Sequence, residues 1–241
     1  DLLEGCYARS GLVTDVQLYE EYPSGYLKDS SRRHRWIRGD WQIAPWLFSS
    51  VPGANGSKVK NPVSFLSQWK IADNLRRSLV PFATVLLLVS GWMFFHPPWI
   101  WSAFVIALLG FPLVPMSLAQ TVRKSENSTL KTHFGSVFVS FKKNVLRFFF
   151  SVAFLMHEAF YCSDAIARTL WRMAVSKRRL LKWRAFLEEK SALSSHISGY
   201  CKSMLFAPAA AVVLLAGFSV LFPRIDGSVV IFLILWFVSP V

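Results

Sequence analysis

Residues 79–119 run LVPFATVLLLVSGWMFFHPPWIWSAFVIALLGFPLVPMSLA, without one aspartate, glutamate, lysine or arginine. A bilayer's hydrocarbon layer is ~30 Å thick and takes about 20 helical residues. His96-Pro97-Pro98 breaks the run, so two spans, near 79–95 and 99–119, are predicted to fold back as a hairpin. Trp92, Trp99 and Trp101 flank the break, as amphipathic rings do at a membrane–water boundary. Pro112 and Pro115 predict a kink in the second span. The stretch makes the fold class mainly α, with multi-pass membrane helices.

Composition agrees with that reading. The chain has 241 residues, is 53% hydrophobic and has a mean hydropathy of +0.37, too apolar for an ordinary soluble domain. A net charge of +13 on a polar chain would point to nucleic acid. Here the charge alternates with long uncharged runs, so the expected partner is the lipid bilayer and no nucleic acid is expected. No charged n-region, apolar h-region and cleavage site open the sequence, so a secretory signal peptide is not expected in it. A start at Asp1 and an end inside an apolar run at Val241 are the marks of a piece, with the rest of the polypeptide upstream and downstream. Cys6, Cys162 and Cys201 are widely spaced with no C-x-x-C, which fits reduced thiols rather than a disulfide framework or a zinc ribbon.

Beyond the hairpin, residues 120–202 carry fifteen Lys and Arg against five Asp and Glu. Within them Val145 to Tyr161 is apolar but interrupted by Arg147, His157 and Glu158. A single crossing there would put one basic cluster outside, against the positive-inside bias. Its unbroken apolar core, Phe148 to Met156, is also short for a ~30 Å layer at about 1.5 Å per residue. Residues 145–161 are therefore expected to be interfacial or re-entrant. Ser203 to Phe222 reads as a third span, and Gly227 to Val241 begins a fourth. Residues 1–78 and 120–202 are then cytosolic, and the turns at 96–98 and 223–227 face outward.

Upstream of the hairpin the chain is polar. A short helix is expected over Asp1–Ser10, burying Leu2, Leu3 and Tyr7, and a strand over Leu12–Tyr19 from its alternation. Residues 29–48 then gather Arg32, Arg33, Arg35 and Arg38 with Trp36, Trp41 and Trp46. Asp29, Ser30 or Ser31 is a helix-capping signal, so a helix is expected from Arg32. On it Arg32, Arg35, Trp36 and Gly39 share one face. Arginine grips phosphate oxygens bidentately, and an indole stacks on the apolar face of a sugar ring. That face suits a sugar diphosphate beside a sugar acceptor. An Arg/Trp-rich helix lying on a membrane has the same composition, and spacing alone leaves both readings open. Residues 51–57 read as a loop. Residues 61–77 read as an interfacial helix with Phe65, Leu66, Trp69, Ile71 and Leu75 on its apolar side.

Arg32-Arg33-His34-Arg35-Trp36 resembles the Gln-x-x-Arg-Trp signature of processive, membrane-embedded glycosyltransferases such as cellulose, chitin and hyaluronan synthases. Arg32 stands where those enzymes carry Gln. Together with Asp1-Leu-Leu-Glu-Gly, the segment from Ser31 to Gln42 and that from Asn61 to Pro81, the text is most similar to the cyclic β-1,2-glucan synthases. This resemblance implies an inverting glucosyltransferase at the bacterial cell inner membrane, passing glucose from UDP-glucose to a growing β-1,2-glucan acceptor. It implies that residues 1–50 end a GT-A-like, Rossmann-type α/β domain, followed by a loop and interfacial helix at 51–78. The membrane hairpin would occupy 79–119, the basic region 120–202 and a second membrane pair 203–241.

The same resemblance assigns roles. Asp1 takes the place of the catalytic base, Arg35 that of the group on the departing diphosphate, and Trp36 that of the plate under the acceptor's terminal sugar. Arg32 either adds a second substrate contact at the diphosphate or holds the helix against a carboxylate such as Asp29. Arg33 and His34 point elsewhere on the helix and serve structure or lipid. Mg²⁺ or Mn²⁺ is implied for the full enzyme, on aspartates upstream; these 241 residues contain no Asp-x-Asp. A transporter or channel is the main alternative, although the spans lack the ionisable groups of coupled transport. A non-catalytic membrane anchor is the other.

Overall fold

The computed structural model describes residues 2–8, 11, 13–19, 22–23, 25–53, 57–122, 129–178 and 203–240. It is mainly helical and divides into two compact units, residues 1–82 with 158–200 and residues 83–157 with 201–241.

The first unit opens with α1 (Leu2–Ala8) and α2 (Tyr26–Gln42). Helix α2 starts at Tyr26 rather than Arg32, with Gly25 extended at its N-cap and no side-chain cap. Leu27 and Ser30 are buried and anchor the early turns, while Asp29 turns its carboxylate to Arg32 and Arg33 instead of capping free amides. No strand forms upstream: residues 13–19 are irregular, with Val13, Val16, Leu18 and Tyr19 exposed, and Leu12 lies outside the described residues. Alternation alone gives a strand nothing to pair with or bury against.

A 3₁₀ turn (Ala44–Leu47) leads into a hairpin of β1 (Ser50–Pro52) and β2 (Lys58–Lys60), where a loop was expected. The strands pair antiparallel with Val51 opposite Val59. Asn61 fastens the hairpin, donating to the carbonyls of Trp46 at 2.7 Å and Phe48 at 2.8 Å and accepting from Val63 N–H at 2.9 Å. Among the described residues this two-stranded sheet is the only one, so the Rossmann-type remnant expected over residues 1–50 has no counterpart there.

The expected interfacial helix and first span are one element, α3 (Phe65–Phe94), which runs through Pro81 without ending. At 1.5 Å per residue it is about 45 Å long, and a proline removes only one ladder donor. In its polar first half Asp73 accepts from Arg76 and Arg77, each at 2.8 Å.

The second unit contains α4 (Pro98–Gly110) and α5 (Leu113–Val122), most of α6 (Leu130–Trp171), α7 (Phe206–Leu221) and α8 (Gly227–Val238). The chain turns at residues 95–97, as the His-Pro-Pro break predicts, and separates α4 from α5 at Phe111–Pro112, where a kink was expected. Trp92 centres the core, with Phe218, Phe232 and Trp236 rings at centroid distances of 6.2, 5.7 and 6.0 Å. Its indole N–H donates to Ser102 at 2.9 Å, which meets Ser228 at 3.0 Å, so each buried polar atom has a partner. Trp101 packs directly on Gly91, where any Cβ would collide with its ring. Ala207 and Ala211, the small-residue pair of α7, are both buried.

Three helical stretches are long and apolar enough to cross a membrane: Phe65–Phe94, Pro98–Ala119 and Lys131–Ser176. That set differs from the expected one. Helices α7 and α8, apolar but at 16 and 12 residues shorter than that length, occupy the stretches where a third and a fourth span were expected. Residues 145–161 form no re-entrant turn: they lie inside the unbroken 42-residue α6. Glu158, one of the residues that argued for a break, reaches Arg33 and is accommodated without one. A π-helical turn (Arg172–Ser176) closes α6 at Lys177, whose φ of 48° is left-handed. Arg179, Lys182 and Arg184 of the basic patch lie outside the described residues.

Candidate functional site

Helix α2 is held between the end of α6 and the first half of α3. Toward α6, Arg33 Nε pairs with Asp29 at 2.8 Å, and its Nη1 lies 3.9 Å from Glu158. Burial opposes the Arg33 charge, but Tyr161, Asp29 and Glu158 outweigh it and hold the guanidinium above its ordinary value. One position on, His34 Nε2 meets Asp164 Oδ2 at 2.9 Å, and Arg168 binds the same carboxylate at 2.6 Å. Burial, with Glu158 and Tyr161 nearby, pushes the Tyr26 phenol up. Burial and then Arg172 and Arg168 pull the Arg38 guanidinium down. Arg33 and His34 thus face away from the expected substrate face and bind α2 to its neighbour, as the sequence predicts.

Toward α3, the Trp41 indole donates to Ser78 at 2.9 Å. Asn74 donates to Asp40, whose carboxyl burial pushes up and that bond partly pulls back.

The remaining face carries the arginine–tryptophan pair. The Arg32 guanidinium carbon lies 4.6 Å from the Trp36 ring centroid and 5.0 Å from that of Tyr22, and Nη2 bonds Asp29 at 2.7 Å. The contact with Asp29 is one of the two roles expected for Arg32. Trp36 remains 54% exposed, enough to offer ring surface to a ligand. Arg35 is partly buried at the preceding position. A side chain at Gly39 would meet nothing within 4 Å, so the gap expected one turn from Trp36 is open. Asp1 lies outside the described residues, and its neighbour Leu2 opens α1.

One feature was missed from sequence. Leu2 of α1 and Trp69, Lys70, Asp73, Asn74 and Arg77 of α3 line a cavity of about 450 Å³. Its α3 residues fall at i, i+1, i+4, i+5 and i+8, one helical face that joins Trp69 of the expected apolar side to the charged residues set against it. Among the described residues no three His, Cys, Asp or Glu side chains gather to hold a metal ion.

Three helical stretches of membrane-crossing length and composition mark a membrane-type chain, and its α2 carries the stacked arginine–tryptophan pair. The chain is 36% identical along its whole length to a segment of the cyclic β-(1,2)-glucan synthase NdvB of Rhizobium meliloti (strain 1021). It spans 8% of that protein. No family model matches the chain.

Proposed function

We propose that this chain is a segment of a membrane-bound glucosyltransferase that makes cyclic β-1,2-glucan from UDP-glucose. The whole-length identity to a cyclic β-(1,2)-glucan synthase carries the reading, and the exposed Trp36 braced by Arg32 is consistent with it.

In the proposed step an acceptor hydroxyl attacks the anomeric carbon of the donor glucose. The new C–O bond forms as the bond to the diphosphate breaks, the electron pair leaves with UDP, and the configuration inverts. Asp1 takes the hydroxyl proton; a placed carboxylate base contributes ~10²–10⁴-fold. Arg35 meets the negative charge that builds on the leaving diphosphate. Trp36 stacks the terminal acceptor sugar, with Arg32 fixing the ring through its contact with Asp29. Segments outside this chain supply the uridine and cation sites, and residues 1–78 and 120–202 lie on the cytosolic side of the inner membrane.

The test is Asp1→Asn in the full-length protein, with glucose transfer and UDP-glucose binding measured separately. Transfer falls at least 100-fold with binding retained. Normal transfer by the variant removes Asp1 from the base role.

A further inference from the structure

The cavity between α1 and α3 lies outside the arginine–tryptophan face and has no role so far. Its lining pairs one large exposed plate, Trp69 at 64% exposure, with four hydrogen-bonding side chains of mixed character. Asp73 only accepts, Lys70 and Arg77 only donate, and Asn74 does both. Sugar hydroxyls donate and accept at once, so this set suits them. Asp73 stands between Arg76 and Arg77 with its oxygens bound by both. The volume of about 450 Å³ falls within the ~300–1,000 Å³ of small-molecule sites.

Position supports the same ligand. Asn74 reaches from the cavity wall to Asp40, which lies one helical turn beyond Trp36 on the same face of α2. The cavity therefore borders the helix that carries Trp36.

We propose that this cavity is a second saccharide subsite, binding inner units of a β-1,2-linked gluco-oligosaccharide with Trp69 as the stacking plate. The proposal rests on the glucan-synthesising reading and adds the residues that hold the acceptor beyond its terminal sugar.

The experiment titrates linear β-1,2-gluco-oligosaccharides of two and of six units into the full-length, detergent-solubilised protein and reads Kd by calorimetry. Trp69→Ala weakens binding of the six-unit chain about tenfold and of the two-unit chain less than twofold. Trp69→Tyr restores most of the loss, because it returns an aromatic plate. Phe65→Ser, exposed on the same helix but not in the cavity lining, gives the wild-type Kd. An unchanged Kd for Trp69→Ala, or an equal loss at both lengths, overturns the subsite. So does a variant that binds sugar normally but loses retention on anionic-lipid vesicles, which makes the cavity a lipid contact. Absence of glucose transfer by the wild-type protein refutes the enzymatic reading, whereas the Kd comparison reads the subsite alone.

Discussion

The Arg32 guanidinium is stacked over the face of Trp36, 4.6 Å from the ring centroid, at i and i+4 of one helix, with Asp29 holding its other side. A cation over an indole contributes about 0.5–2 kcal/mol depending on desolvation. Its effect here is to restrict the ring: a tryptophan that must present one face to a sugar loses less freedom on binding when it is already braced.

Removing the brace tests this. Arg32→Ala is expected to raise the KM for glucan acceptor about three- to tenfold, the range that ~0.5–1.5 kcal/mol of lost stacking gives. Arg32→Lys keeps the charge and the ion pair but not the flat stack, and falls between the two. A rise in KM for UDP-glucose with no change for acceptor would instead assign Arg32 to the diphosphate.

The attachment of α2 to α6 makes a stability prediction. His34 and Asp164 are each about one-quarter exposed, so their 2.9 Å pair is only partly screened. Asp164→Ala is expected to cost about 1 kcal/mol, a fall of ~2–4 °C in Tm for a chain of this size. In a double-mutant cycle with His34→Ala the second loss is smaller than the first. Fully additive losses would mean that the contact carries no coupling.

Asp40 gives a pH prediction. Burial raises its carboxyl pKa in the folded protein, so the folded state holds the proton more tightly than the unfolded one. The associated stability is fully present below the ordinary carboxylate range and is lost as pH rises from about 4 through the raised value. Asp40→Asn should therefore melt higher than wild type at pH 7, with the two curves converging near pH 4. A constant difference at every pH would mean that ionisation of Asp40 is not the cause.

Sidedness follows from the same contacts. Arg33 and His34 reach Glu158 and Asp164, so α2 and the end of α6 are expected on one side of a membrane, with two of the three candidate stretches between them crossing it and the third not. Reporters fused at Gly25 and at Arg178 are expected to give the same, cytosolic, response. Opposite responses would contradict the packing of α2 on α6.

The sequence and the structure agree where one local signal dominates. His96-Pro97-Pro98 lacks donors and the uncharged run around it lacks alternatives, so the hairpin was legible residue by residue. The face shared by Arg32 and Trp36 follows from helical spacing, and that pair is in contact. Disagreements arise where tertiary partners decide. The start of α2 moved to Tyr26 because Leu27 is buried, which no capping signal reveals. Residues 145–161 remain helical because Glu158 finds Arg33 in a distant part of the chain. Leu12–Tyr19 has a strand's alternation, but among the described residues 13–19 find no strand to pair with. The cavity beside Trp69 needed the position of α1, which spacing along α3 does not contain.

The most direct test of the central reading is the ratio of glucan elongation to UDP-glucose hydrolysis in the full-length protein carrying Trp36→Ala. If Trp36 holds the acceptor sugar, elongation falls at least tenfold while hydrolysis, which uses water in place of that sugar, falls less than threefold. Elongation at the wild-type rate, or an equal fall in both activities, would contradict it.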